Sequence, residues 1–310
     1  MKRSLRLRRS GVAKVIQIPT ALRSVYQKAV ETRTGRRRLL HGSLHITMMF
    51  LSVVALVPIA YMISTSLKAE GKEYEWPVRW IPDPIVWRNY LDAHTIMTFN
   101  LYYRNTIAVA VLATTGALIS STMAGYAFAR LRFVGRNVLF VFTLATMMLP
   151  GVVTLVPKFI IFRELRWINT LYPLIVPFWF GGGAFFIFLT RQFFMGIPYE
   201  LEEAARIDGA SSFRIYWQMM LPLSGPVLAV IAVFSFVDRW TEFLHPLIYL
   251  NTNDLRTVAL GLAYNRGLFS EHRNFIMAAS FTMSLPIILL FFFAQRYFMR
   301  GIVMTGITGR

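Results

Sequence analysis

Residues 197–211 read IPYELEEAARIDGAS, a polar stretch between two strongly apolar segments of the chain. Pro198 suits the first position of a helix, where its missing N–H has no hydrogen bond to lose. Three glutamates follow in the first turn and a half, where the helix dipole favours negative charge. Glu202 and Arg206 are four residues apart and can pair, and Gly209 can adopt the positive φ of a C-terminal cap. The pattern predicts a short helix that lies at a membrane surface and does not cross it.

A second helix is expected directly after this turn. Ser211 or Ser212 can cap it, and it would run from Phe213 to Leu221, with Pro222 ending it. We therefore expect two short helices joined by a turn over residues 198–222. Charge and capping alone would also fit an ordinary amphipathic connector.

The composition predicts a membrane protein. The chain has 310 residues, of which 55% are hydrophobic and 15% charged, and its mean hydropathy is +0.50. Soluble domains carry about 25% charged residues. A membrane-spanning helix needs about 20 mostly apolar residues, and six stretches meet that requirement. They are His45–Ser66, Thr106–Ala129, Val138–Ile161, Leu171–Gln192, Leu223–Leu250 and Phe275–Phe298. We expect an all-α membrane protein with six transmembrane helices.

Positive charge predicts the orientation. The formal net charge is +18, and residues 1–44 alone hold twelve Lys or Arg and one acid, Glu31. An even number of spans places both termini on one side, and Lys and Arg accumulate on cytoplasmic flanks. The basic arm is therefore expected in the cytoplasm, together with the polar stretch around residues 198–222. Attraction to anionic membrane lipid is the favoured role of the arm, ahead of a partner contact or nucleic acid.

Several motifs then resemble one known family. Glu203-Ala204-Ala205, Gly209, Met219 and Leu221-Pro222 resemble the EAA loop of ABC importer permeases, although that family usually has an isoleucine-like residue where Met219 stands. The sequence of residues 198–211 is similar to that of the maltose-type, carbohydrate branch of this family. The resemblance extends over about residues 44–310 through Ser64–Lys68, Gly125–Arg130 and Trp240-x-x-Phe243-x-x-Pro246. It implies a coupling loop formed by Glu203, Ala204, Ala205, Asp208, Gly209, Leu221 and Pro222.

The resemblance implies an organisation and a set of partners. It implies the type I ABC importer permease fold, with a cytoplasmic coupling-helix (EAA) loop between transmembrane helices four and five. The expected segments are a basic arm (1–44), a first transmembrane helix (45–66), an external loop (67–104), a transmembrane core (101–297) and a cytoplasmic tail (298–310). The expected partners are a second related permease in a heterodimer, two ATPase subunits, an external solute-binding protein and a carbohydrate. The expected location is the bacterial cytoplasmic (inner) membrane.

The sequence predicts no catalysis by this chain. No G-x-x-x-x-G-K-[ST] phosphate loop occurs, since Gly71-Lys72 lacks the glycine five residues earlier. ATP and Mg²⁺ are therefore expected on partner ATPase subunits, and no cofactor is expected here. The absence of cysteine excludes disulfides, thiolate metal sites and cysteine nucleophiles.

Ionisable residues in the fifth predicted span suggest a translocation path. Asp238, Glu242 and His245 are spaced four and three apart, which predicts a shared helix face. Three interpretations are open: a proton relay in a proton-coupled secondary transporter, a metal site at Glu242-x-x-His245, or a structural cluster in which Arg239 pairs with a carboxylate. Metal is disfavoured because di-iron bundles need that motif twice. The family resemblance favours the structural cluster.

Prolines and glycines in the third and fourth spans suggest that the path lies between spans three, four and five, or else mark ordinary kinks. Aromatic residues around Trp179 would suit sugar stacking or contact with lipid. The candidate path residues are Asp238, Trp240, Glu242, Phe243 and Trp179.

Overall fold

A computed structural model describes residues 20–96, 98–268 and 272–305. Residues 1–19 of the predicted basic arm and 306–310 of the predicted tail lie outside this description. Every regular element in the described ranges is a helix. The α-helices are α1 (Thr20–Ser66), α2 (Arg88–Ile96), α3 (Phe99–Arg130), α4 (Arg136–Ala145), α5 (Leu155–Glu164), α6 (Tyr172–Ile175), α7 (Ala184–Met195), α8 (Tyr199–Ile207), α9 (Ser212–Ile215), α10 (Leu221–Leu223), α11 (Gly225–Thr241), α12 (Leu244–Tyr249), α13 (Val258–Leu268) and α14 (Arg273–Thr305).

Four predicted spans are confirmed as helices long and apolar enough to cross a membrane. They are Leu40–Ser66, Phe99–Arg130, Tyr172–Met195 and Arg273–Gln295. The third of these contains the 3₁₀ turn Val176–Phe180 and a break at the glycines before α7, as its prolines and glycines predicted.

The other two predicted spans are not single helices. Residues 138–161 are divided between α4, with a 3₁₀ turn Thr146–Met148, and α5, because the chain leaves the helix at Leu149 and Pro150. The predicted Leu223–Leu250 span is shorter, since α11 ends at Thr241 and α12 begins at Leu244. On its N-terminal side, the helical segment Ser212–Leu223 and α11 are together long and apolar enough for one membrane span. The two are bent by 78° at the break between them.

The chain divides into two compact units, one ending at Ala60 and the other beginning at Tyr61. The described side chains of the first unit, from Leu40 onward, are mostly exposed and apolar, including Ile46, Met49 and Phe50. Such a surface is typical of a helix that lipid or another subunit surrounds.

In the second unit, α3 is the central helix. It packs along α7 on one side and α11 on another. Small buried residues of α3 let these helices approach closely: Ala110, Ala113, Ala117, Ser121 and Gly125. Thr190 of α7 donates its hydroxyl to the Ser121 carbonyl at 2.9 Å, and Thr114 donates to Ser235 of α11 at 3.2 Å.

The two ends of α3 have different neighbours. At its Phe99 end, Asn105 donates to the carbonyls of Asp254 and Arg256, and the Thr106 hydroxyl accepts from the Val258 N–H at 2.8 Å. These bonds attach α13 and the turn before it. At its Arg130 end, α3 meets the end of α7 and the polar stretch 197–211. One rigid helix therefore connects the two ends of the unit.

Candidate functional site

The polar stretch folds as α8, a turn and a second helix. Pro198 is the residue before α8 and not its first helical residue, a correction of one position. Gly209 has φ +79°, as predicted for the cap. The turn is closed by the Gly209 N–H donating to the Arg206 carbonyl at 3.0 Å and the Ala210 N–H donating to the Ala205 carbonyl at 2.9 Å. These bonds satisfy carbonyls that the end of a helix otherwise leaves free.

The second helix begins as predicted but ends later. The Ser211 hydroxyl accepts from the Arg214 N–H at 3.3 Å, which confirms Ser211 as the cap. The helix continues through the π-helical turn Tyr216–Met220 to Leu223. The prediction that Pro222 ends it was wrong. The π turn changes the hydrogen-bonding register, so Pro222 lies near the start of the last short turn, where a missing N–H costs little.

We name α8, the turn and the second helix, residues 199–223, the polar hairpin. Its α8 part has one face turned inward and one outward. Glu202 is fully buried, whereas Ile207 is 86% exposed. The outward face, with the turn, consists of Glu203, Ala204, Ile207, Asp208 and Gly209, all exposed. Five of the seven predicted coupling residues, Glu203, Ala204, Asp208, Gly209 and Pro222, are exposed, and Ala205 and Leu221 are half-buried.

Glu202 is the inward-facing charge of the polar hairpin. Its Oε1 accepts from Arg206 Nη2 at 2.8 Å, which confirms the predicted pair, and this hydrogen bond raises the pKa of Arg206. Its Oε2 lies 3.8 Å from Nε of Arg130, the last residue of α3. The Arg130 Nη2 also donates to the backbone carbonyls of Phe194 and Ile197.

Sequence reasoning missed this role of Arg130. The available signal was a cationic side chain at the end of an apolar helix with no acidic residue in the same turn. A second contact also connects α3 to the polar hairpin, because the hydroxyls of Thr122 and Tyr216 lie 2.9 Å apart.

The fifth-span cluster differs from the prediction. Arg239 pairs with Asp238, as the structural interpretation expected, and its guanidinium lies 4.0 Å from the centre of the Phe178 ring. The prediction that Asp238, Glu242 and His245 share one helix face was wrong, because α11 ends before Glu242. The backbone of Glu242 is extended (φ −61°, ψ 126°). Its carboxylate accepts from the N–H groups of Leu244 and His245 at 3.0 and 3.2 Å, and so caps α12.

The aromatic path candidates occupy different environments. Trp240 is 1% exposed and its indole N–H donates to the Met283 carbonyl at 2.9 Å, so it joins α11 to α14 and presents no surface to a solute in this structure. Trp179 and Phe243 are about two-fifths exposed. Trp179 packs over Gly116 of α3. The structure therefore places Trp240 in the core and leaves the other two accessible.

The fold and this hairpin define a helical membrane protein with a capped polar surface at one end of its central helix. The family described as "binding-protein-dependent transport system inner membrane component" matches residues 116–303. The chain belongs to this family.

Individual proteins agree with this assignment. The chain is 32% identical over 263 residues to the arabinooligosaccharides transport system permease protein AraQ of Halalkalibacterium halodurans, covering 84% of this chain and 94% of that protein. A crystal structure of a bacterial ABC transporter involved in the import of the acidic polysaccharide alginate has a chain with the same fold, with TM-score 0.75, 24% identity, and coverage of 84% of this chain and 97% of that chain. A second crystal structure, of bacterial alginate ABC transporter in complex with alginate pentasaccharide-bound periplasmic protein, matches with TM-score 0.61 and 16% identity, covering 85% of this chain and 94% of that chain.

Proposed function

We propose that this chain is the permease subunit of an ATP-binding-cassette importer for a sugar or a related solute that an external binding protein delivers. The observation that carries the proposal is the likeness, over 84% of this chain, to a permease named for arabinooligosaccharide transport. The family description supports dependence on a binding protein. The solved alginate transporters support a carbohydrate as the class of solute.

The finer topology is part of the same proposal. We assign α4 and α5 together to the third crossing, and α11 with α12 to the fifth, which gives six crossings with both termini in the cytoplasm. The end of α3 at Arg130 then faces the cytoplasm, and the end at Phe99 faces outward. The Lys and Arg distribution of the sequence supports this orientation.

The polar hairpin is then the coupling helix that docks on an ATPase subunit. Its outward face supports this role, because Glu203 and Asp208 offer carboxylates and Ala204 adds no bulk that would prevent close contact. Gly209 permits the turn. ATP-driven closure of two ATPase subunits would move the polar hairpin and open the path on the outer side. The docking free energy must differ between the two states, since equal binding would shift nothing.

The path itself is assigned to the groups that remain accessible. Asp238 and Phe243 are exposed near the end of α11, and Trp179 offers part of its ring beside α3. A second, related permease is proposed to face these groups across the path, in a heterodimer. ATP and Mg²⁺ are proposed to bind only the ATPase partners.

Purification of the tagged chain from its native membrane tests the proposal. We expect a second permease and an ATPase to co-purify in fixed stoichiometry, with ATP hydrolysis that the binding protein and its sugar stimulate. In reconstituted vesicles, uptake should require ATP and tolerate a protonophore. A chain that crosslinks to no ATPase in the membrane, or whose uptake collapses with the proton gradient, would contradict the proposal.

A further inference from the structure

We propose that Arg130 is a positioning residue that joins the polar hairpin to α3, so that a displacement of α8 is passed to α3 through the Arg130–Glu202 contact. The inference rests on the proposed coupling function and names residues outside the seven that the family resemblance indicated.

Arg130 contacts three elements at one point. It is the last residue of α3, it donates to the carbonyl of Phe194 in α7 and of Ile197 in the linker before α8, and it faces Glu202 of α8. Its side chain is 5% exposed and that of Glu202 is 0% exposed. A planar guanidinium presents its donors in a fixed fork, so these contacts set an orientation as well as a distance.

Stability is a weak reason for this buried pair. Removing two charges from water costs about as much free energy as their attraction returns, and well-packed apolar residues often serve equally well. Glu202 also has solvent-facing neighbours on the same helix, Glu200 and Glu203, which carry their charges without that cost. A defined geometry between α3 and α8 explains why one of the three glutamates is placed inside.

The contact has room to change. Nε of Arg130 and Oε2 of Glu202 are both buried, and neither has another hydrogen-bond partner among the described residues. They are separated by 3.8 Å, whereas a charge-assisted N–H···O bond is about 2.8 Å long. An approach of α8 toward α3 by about 1 Å would complete this bond. The contact therefore differs in strength between two positions of the polar hairpin, as a state-dependent joint must.

The rest of α3 is suited to receive the displacement. It is a continuous helix of 32 residues, with Thr190 of α7 bonded to it at Ser121 and α13 attached to its far end through Asn105 and Thr106. A movement of α8 that is applied to α3 at Arg130 would therefore reach elements at both ends of the unit.

The experiment compares two glutamates of α8 with an exposed glutamate elsewhere, in the complete reconstituted importer. Glu202→Gln keeps the shape and removes the buried charge, and Glu203→Gln alters the outward face. Glu164→Gln is the matched control, at an exposed position of α5 outside the polar hairpin. We expect Glu202→Gln to retain its ATPase subunits while solute carried per ATP falls roughly tenfold, within the usual range of coupling free energies. Glu203→Gln should instead weaken ATPase binding, and Glu164→Gln should change neither.

A crosslink between positions 130 and 202 tests whether the Arg130–Glu202 contact acts as a mechanical connection between α3 and α8 or contributes only to packing. The chain has no cysteine, so Arg130→Cys/Glu202→Cys can be bridged by a short bis-methanethiosulfonate without competing thiols in this chain. We expect the unbridged double variant to lose solute carried per ATP, and the bridged form to regain part of it. Arg130→Lys, which keeps the charge and loses the fork, should fall between wild type and Glu202→Gln, and it serves as the second test if Glu202→Gln fails to assemble.

Wild-type solute per ATP in Glu202→Gln, or a bridged variant no better coupled than the unbridged one, overturns the inference. Failure of the proposed function looks different, because the wild-type chain would then show no ATPase partner and no ATP-dependent uptake.

Discussion

The hydroxyl oxygen of Thr190 lies 2.1 Å from the point that a Cβ on Gly125 would occupy, so α3 and α7 meet where only a glycine fits. Thr190 has little freedom to move, because its hydroxyl lies within hydrogen-bonding distance of the carbonyl oxygens of Ser121, Phe186 and Ile187, any one of which can accept its proton. The backbone N of Arg191 would lie 3.0 Å from the same Cβ. This contact holds the two helices together five residues, or about one and a half turns, before Arg130.

Gly125→Ala is therefore expected to push α7 away from α3. Overpacking of this kind costs about 1–3 kcal/mol of stability. The measurement is the midpoint of thermal unfolding of the detergent-solubilised chain. Gly225→Ala is the matched control, since a Cβ there meets nothing within 4 Å. Equal midpoints for the two variants would show that α3 and α7 are not in close contact at this point.

Substitutions at Gly209 change the turn of the polar hairpin through backbone conformation and not through a steric clash. Its φ of +79° is unfavourable for residues with a Cβ, while nothing lies within 4 Å of the Cβ that a substitution would add. Gly209→Val should abolish uptake and leave membrane insertion intact, because a β-branched residue at positive φ costs about 1–2 kcal/mol or more and reshapes the turn. Gly209→Asn is the control, since asparagine tolerates this region. Uptake is measured in vesicles, and wild-type uptake by Gly209→Val would remove the coupling assignment of this turn.

Gly261 tests the opposite end of α3. A Cβ at this position would lie 2.2 Å from the ring of Tyr102, whose hydroxyl donates to Asn253. We expect Gly261→Val to separate α13 from α3 and to lower the unfolding midpoint, by an amount that corresponds to roughly 1–3 kcal/mol. In a Tyr102→Ala background, the further loss caused by Gly261→Val should be smaller than in the wild type if the ring is the obstacle. An equal loss in both backgrounds would place the strain elsewhere.

The sequence predicted the features whose causes lie within a few residues of each other. The Gly209 turn, the Ser211 cap and the Glu202–Arg206 pair each follow from spacings of four residues or fewer, and all three were confirmed. Four spans were also readable, because their apolar runs are long.

The remaining features depend on contacts between distant parts of the chain. Arg130 reaches the Ile197 carbonyl 67 residues away, so no local pattern reveals which of the three glutamates turns inward. The end of α11 carries no proline or glycine before Glu242, and the spacing of its ionisable residues therefore suggested one continuous helix. In the structure the helix is interrupted at Glu242, and the Glu242 carboxylate accepts hydrogen bonds from the first two N–H groups of α12.

Substitutions of Glu242 distinguish helix capping from proton transfer, because capping needs only an oxygen acceptor whereas proton transfer needs a titratable group. Glu242→Gln keeps an oxygen that can accept from the N–H groups of Leu244 and His245, whereas Glu242→Ala leaves both donors without it. Loss of a helix cap costs about 1 kcal/mol, so the alanine variant should show the lower unfolding midpoint and the glutamine variant most of the wild-type value. A proton relay requires a titratable group, and both variants would then lose uptake equally. Thermal unfolding and ATP-driven uptake, measured on the same preparations, decide between the two roles. Uptake retained by Glu242→Gln supports the cap. Uptake lost in both variants at unchanged stability supports the relay.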